Sequence, residues 1–507
     1  MSRFTQATAY EVMPLGLGVI ALVLIGSLWA CIGFLAEWAG IQAGLSESFA
    51  HRLFRGIGFG TAGFACAVSA WWIWRVRSWR LQAAIGICLY GLLLWLTPRS
   101  FTYDTGLYHL PLINHLNQIG LEWNLGWLHS RYAFFNLLLY GQSALSRLAG
   151  TVALPSLNGL VLTGTLLFLS EHVKRNSRAL VPSIVVTGAL LLPSESSESF
   201  HSFNADFSLG CIFLVSCILV TSKSPTNRSQ PLEAAALSAF FPLIKLSGIF
   251  LLPTILAGYV KQWNWTKLSR NIKTLLPLLA LLIATSCGFG FITAGYLSYP
   301  VAVTGPLRAD AISKNATIRE SKFNTTAWAR FAYSDQLDSI RADAAPSEWL
   351  PKWSRSLNGQ RMLVYTALSL IGTCIGLAWA RQSPWTPVLT ANTGFWILAI
   401  LVLPPDPRFY FGPILLTLYG STCWIYRRQT ESSKEEKPFS RIFIAASVTI
   451  IVVTSLWRES DIPRNTFPET SGIEHESFKG LYNPRLGRLI SHPSGGPCWT
   501  LPAPCHP

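Results

Sequence analysis

PLGLGVIALVLIGSLWACIGFLA, residues 14–36, carries no charged side chain along its length. A helix of this length crosses the roughly 30 Å hydrocarbon core of a bilayer, which takes about 20 apolar residues. Runs of the same kind recur near 53–74, 81–97, 155–171, 179–193, 206–222, 231–243, 246–260, 274–296, 361–380, 386–404, 408–426 and 440–457. The pattern predicts an all-α polytopic membrane protein with about 13 transmembrane helices. Composition agrees: of 507 residues 50% are hydrophobic and 13% charged, and the mean hydropathy is +0.36. That is too apolar and too poor in charge for a soluble enzyme of this length. No small-residue cleavage site follows the first run, which reads as a retained span rather than a signal peptide.

Lys and Arg in short loops give the orientation. Arg75, Arg77 and Arg80 share one loop, Lys174, Arg175 and Arg178 a second, Lys261, Lys267, Arg270 and Lys273 a third, and Arg427, Arg428, Lys434 and Lys437 a fourth. All four are cytoplasmic if the N-terminus is cytoplasmic and 131–150 lies at the outer surface without crossing. The expected organisation is then two additional N-terminal helices in 1–80 and a transmembrane core in 81–296, whose first outward loop and juxtamembrane helices occupy 98–154. An outward loop region covers 297–360, C-terminal transmembrane helices 361–457 and an outward tail 458–507. The location is the inner (plasma) membrane, with the C-terminus extracytoplasmic. Topology accounts for the net charge of +15, and no basic and aromatic module for nucleic acid is evident. Eight of the ten cysteines fall in spans, as small apolar residues. Cys498 and Cys505 stand in the outward tail, as a disulfide closing a Pro-rich loop or as two thiols. No zinc-type Cys/His spacing and no internal repeat is evident. RRQTESSKEEK reads as a solvated connector.

Chemistry concentrates after the span that ends near Pro98. In FTYDTGLYHLPLINHLNQIG, residues 101–120, Tyr108, Leu112, Leu116 and Ile119 recur at helical spacing with Asn114, Asn117 and Gln118 opposite. This is the pattern of an amphipathic helix in the interface. RYAFFNLLLYGQSALSRLAG, 131–150, reads as a second interfacial or re-entrant segment. Asp104 is either the cap of the first of these helices or a catalytic carboxylate at the membrane surface, and one role does not exclude the other. Tyr103, Tyr108 and His109 crowd the same exit. SESSESFHSFNAD, 194–206, brings Glu195, Glu198, His201 and Asp206 to the mouth of the bundle, as a binding cluster or a solvated loop.

YDTGLYHLPLINHLN, LHSRYAFFN, IKLSGIFLLP, GYLSYPVAVTGP, TAWARF, PPDPRFYFGP and the terminal CWTLPAPCHP resemble, in the same order, an uncharacterised family of bacterial multispan membrane proteins with features of the GT-C superfamily of polyprenyl-phosphate-sugar-dependent glycosyltransferases. The resemblance covers about residues 85–507. The terminus departs from the family's PCTP in carrying His506 where Thr stands. What the resemblance implies is a GT-C-like bundle that transfers a sugar, with inversion, from a polyprenyl-phosphate carrier to an envelope glycan, lipid or protein acceptor on the outer face. Asp104 matches the superfamily's first-loop acid, which deprotonates the acceptor or orients a divalent cation. Mg²⁺ or Mn²⁺ is left open by the absence of any metal-specific spacing. The leaving phosphate gains charge and needs cations. Arg131, Lys245 and Arg408 stand at outward span boundaries, where such residues also simply snorkel. Lys245 interrupts an apolar stretch, and Pro404, Pro405 and Pro407 hold the turn before Arg408 rigid. The rival readings are a transporter or flippase of lipid-linked saccharide, a polysaccharide polymerase or ligase using a lipid-pyrophosphate donor, and a scaffold without activity. Partners expected throughout are membrane lipid and a polyprenyl-linked sugar.

Overall fold

The computed structural model describes residues 15–46, 48–50, 52, 54, 56, 108–128, 130–149, 156–176, 179–191, 203–222, 230–262, 265–297, 299, 305–311, 328–330, 344–379, 383–401, 404–427, 479–483 and 488–492. These residues are helical apart from their connections and one short antiparallel ribbon. The longer helices, in chain order, are α1 (Leu15–Gln42), α2 (Leu110–Gln118), α3 (Leu137–Ala149), α4 (Ser156–Arg175), α5 (Leu180–Leu191), α6 (Ala205–Thr221) and α7 (Gln230–Ala239). After a break come α8 (Leu252–Gln262), α9 (Trp265–Ala294), α10 (Pro346–Trp353), α11 (Leu357–Trp379), α12 (Trp385–Leu401) and α13 (Phe411–Arg427). The ribbon pairs Lys479–Asn483 with Arg488–His492, a departure from the all-α expectation confined to the tail.

Among the described residues two helices are long and apolar enough to cross a membrane, Leu15–Gln42 and Leu275–Ala294, the latter within α9. Leu180–Leu191, Ala205–Thr221, Leu246–Tyr259 and Trp385–Leu401 are apolar but shorter. Expected spans at 155–171, 179–193, 206–222, 361–380, 386–404 and 408–426 correspond to α4, α5, α6, α11, α12 and α13. The runs at 81–97 and 440–457 and most of 53–74 lie outside the described residues.

α6 is the axis of the bundle. Every one of its residues is buried, as a helix apolar on all sides requires. Around it pack α4, α7, α8 and α13, while α13 also packs on α5 and α11, and α12 on α8 and α11. The outer helices invert the usual pattern of a water-soluble protein. Leu276 and Ile283 of α9 are 59% and 62% exposed, and α11 presents Val364, Leu370 and Ile371. Close contacts are made by residues without side chains: a Cβ on Gly16 of α1 would collide with the backbone of Gly164 and Phe168 in α4. Small residues at such crossings let helix backbones approach.

α2 and α3 form the layer expected at the interface, but they are enclosed rather than lying on a surface. α2 begins at Leu110, with Pro111 in its first turn where the missing N–H costs nothing. Its Leu112, Ile113 and Leu116 are buried, and so is His115. α3 is 13 residues long and packs on α1, with Gln142, Ser143 and Ser146 also buried. At roughly 1.5 Å per residue it is about 20 Å long. Arg147 near its end donates to Glu37 of α1 through both terminal nitrogens, at 2.5 and 2.7 Å.

The loop after α9 folds back on this layer. Asn124, in left-handed backbone at φ 62°, donates its amide to Asp310 at 2.7 Å and accepts from Arg308, whose Nε donates to Asp310 at 3.0 Å. The Arg308 guanidinium lies 4.3 Å from the Trp123 ring. Beneath this clasp Ala133, Ala294, Tyr296 and Tyr299 form a small separate core, with Phe134 against Tyr299 at 5.5 Å. The short helix Trp328–Arg330 packs against α10. Arg330 sits 5.1 Å from the Trp349 ring, and Trp353 Nε1 donates to the Pro405 carbonyl at 2.8 Å.

Candidate functional site

Asn204 ends an extended approach to α6 and accepts a hydrogen bond from the Asp206 N–H at 3.2 Å, an N-cap that fixes where the axial helix begins. The cap is itself held, since Asn158 of α4 donates to the Asn204 carbonyl at 3.0 Å and accepts from Ser208. Asp206 therefore stands in the first turn, where the helix dipole favours negative charge. It is 3% exposed.

Opposite it the chain breaks. The short helix Phe241–Ile244 has Pro242 in its first turn, Lys245 is extended at φ −155°, ψ 135°, and Leu246–Leu251 is a 3-10 helix. A Cβ on Gly248 would meet the Phe241 carbonyl oxygen at 2.5 Å, so the tight return needs glycine. The interruption turns the Lys245 side chain inward, and its ammonium forms an ion pair with Asp206 Oδ2 and lies 4.9 Å from the Phe409 ring. Asp206 Oδ1 is buried and accepts no hydrogen bond among the described residues. Burying an unsatisfied carboxylate oxygen is costly, which marks this atom as one awaiting a donor.

These groups line a cavity of about 310 Å³. One part of its wall is polar: Tyr108 and His109 from the turn entering α2, Arg131 from the 3-10 turn Ser130–Ala133, Asn136, Asn204, Asp206 and Lys245. The Arg131 guanidinium is 5.7 Å from the Tyr108 ring, and the Tyr108 and His109 rings meet edge to face. The lining also includes the apolar Leu112, Phe134, Phe135, Leu139, Ile244 and Leu246. Phe409 and Tyr410, from the 3-10 turn Pro407–Tyr410, close it, and Tyr410 donates to the Pro404 carbonyl at 2.7 Å. Two cations and a carboxylate beside an apolar wall suit a ligand with an anionic head and a greasy body.

Tyr108, His109, Arg131, Asp206 and Lys245, named separately from four stretches of sequence, thus come together. Asp104, Tyr103, His201, Cys498 and Cys505 lie outside the described residues, as does the side chain of Arg408, whose turn borders the cavity. Asp206 is a helix residue, not a member of a solvated loop. Asn158, Asn204, Phe409 and Tyr410 were not foreseen. Of these Asn204 left a signal, an Asn two residues before an acid at the start of an apolar run. Among the described residues no three His, Cys, Asp or Glu side chains gather to hold a metal ion. Of the comparisons with known proteins, no curated protein and no solved structure matches the chain. Residues 72–415 match the family described as a domain of unknown function (DUF8201), a stretch that includes the whole cavity wall. With more than half of its length matched, the chain belongs to the DUF8201 family.

Proposed function

We propose that this protein is a multispan membrane glycosyltransferase of GT-C-like fold that moves a sugar from a polyprenyl-phosphate carrier to an acceptor on the outer face of the inner membrane. The observation that carries the reading is a single cavity lined both by Arg131, Lys245 and Asp206 and by the apolar Leu112, Phe135, Leu139 and Ile244. A polyprenyl-phosphate sugar combines the same two characters. Its phosphate becomes a better leaving group where cations compensate the charge that develops on it, and a site poor in water strengthens that compensation. Membrane insertion is supported by the two long apolar helices and by the exposed Leu, Ile and Val side chains of α9 and α11 around a wholly buried α6. In this reading about 13 helices cross, with a cytoplasmic N-terminus, and the cavity faces outward.

The test is turnover by the purified full chain in nanodiscs supplied with a panel of C55-polyprenyl-phosphate-linked sugars and simple hydroxyl acceptors. Release of C55-polyprenyl phosphate is expected with at least one donor, and Arg131→Met is expected to lower it by about 10²-fold, as loss of one charge-stabilising donor does. Movement of intact donor between leaflets without release would instead favour the flippase reading.

A further inference from the structure

We propose that Asp206, not only Asp104, is a proton acceptor of the transfer reaction, with Lys245 as the residue that holds it in place and bridges it to the donor phosphate; this rests on the glycosyltransferase reading above. Three observations meet at this carboxylate. It lines the cavity, it is 3% exposed, and its two oxygens are unequal. Oδ2 is taken by the Lys245 ammonium, whereas buried Oδ1 accepts nothing from the described residues. Buried carboxylate oxygens without a donor are uncommon, and this one belongs to a residue that lines the cavity.

Lys245 carries three N–H donors, so it can keep Asp206 Oδ2 and still donate to a phosphate oxygen. Its ammonium is also fixed by the Phe409 ring on another side. The resulting order is phosphate, ammonium, carboxylate, with the acceptor hydroxyl donating to Oδ1. In the reaction the acceptor oxygen forms a bond to the anomeric carbon. The bond from that carbon to the phosphate oxygen breaks, and its electron pair leaves with polyprenyl phosphate. The hydroxyl proton passes to Asp206 Oδ1. Atoms and charge balance without an oxidant, a reductant or a further reactant.

The experiment uses the full-length protein in nanodiscs, comparing wild type, Asp206→Asn, Asp104→Asn and the paired Asp206→Asn/Lys245→Met. C55-polyprenyl phosphate binding and release of C55-polyprenyl phosphate from sugar-linked donors are both read, the second across pH. The pair guards against misfolding, since it removes both charges and strands neither in the interior. The expected result is that Asp206→Asn binds C55-polyprenyl phosphate within about threefold of wild type while turnover falls by 10² to 10⁴, the usual worth of general-base catalysis. Loss of turnover with binding retained is an outcome that a merely structural role for Asp206 would not give. Should Asp206→Asn or the pair keep turnover within about threefold of wild type while Asp104→Asn abolishes it, the proposal is overturned and glycosyl transfer stands. A wild type that binds the phosphate but releases it from no donor overturns both.

Discussion

Glu37 and Arg147 show what a charged residue costs inside this bundle. The carboxylate is 1% exposed on its side chain and is held by both terminal guanidinium nitrogens, with the Arg147 charge also 4.5 Å from the Phe54 ring. Removing one partner strands the other. Arg147→Met is expected to destabilise the protein by about 3–5 kcal/mol, seen as a lower unfolding temperature in detergent, whereas Glu37→Leu with Arg147→Leu recovers most of the loss. The pair itself was not legible in the sequence, because its members are 110 positions apart and only the packing of α3 on α1 joins them. Lys245 was legible as a candidate, since it is a lysine amid apolar residues, though snorkelling explained it equally well. That its partner is Asp206 was not, for the same reason of separation.

At the scale of elements, the bundle is built on backbone contact. Gly16 and Gly164 let α1 and α4 touch, and Gly210 and Gly412 do the same for α6 and α13, where a Cβ on Gly210 would meet the Phe411 ring at 2.7 Å and the Gly412 nitrogen at 3.0 Å. Gly16→Val cannot be absorbed by a rotamer change, because the obstructing atoms are backbone. It is expected to separate the two helices and cost about 1–3 kcal/mol, measurable as a fall in unfolding temperature, while the same change at Gly26, which faces open space, stays within about 1 kcal/mol. Periodicity gave most helices within a few residues and foresaw the break at Lys245, because Pro242 and a charge interrupt the run together. It did not foresee how deeply α2 is enclosed. Asn114, Asn117 and Gln118 announce a wet face, yet Ser143 of α3 donates to Asn117 at 3.1 Å, so part of that polar stripe is satisfied by protein rather than by water.

Across the whole molecule, the loop clasp ties the distant segment around Arg308 to the cavity wall. The amide of Asn124, and then the charge of Arg308, hold the Asp310 carboxyl below the usual carboxylate range. The folded state therefore binds this proton less readily than the unfolded chain. The clasp's contribution is complete above the ordinary carboxylate pKa of about 3.9 and is lost as pH falls through the depressed folded value. Hydrogen exchange at the Leu307 N–H, which donates to the Gly295 carbonyl at 2.9 Å, is expected to show protection at neutral pH and its loss in acid. Asp310→Asn should leave that amide's protection independent of pH over the same range. The helical class and most of the cavity's polar residues could be read from composition and local pattern. The clasp could not, since Asn124 and Asp310 meet only when the chain after α9 returns upon the turn before Arg131.

The enclosure of α6 on every side has a consequence for biosynthesis. Asp206 leaves the ribosome some two hundred residues before Phe409 and Tyr410, the last residues to complete the cavity wall. Until α13 arrives, the flank of the axial helix that it covers lacks that neighbour. The Asp206–Lys245 pair can form early, from chain already made, and so keeps the nascent helix from carrying a lone charge through that interval. The assembled pocket exists only once the chain has been extended past residue 410, which makes the site a late product of synthesis rather than a property of any fragment that precedes it.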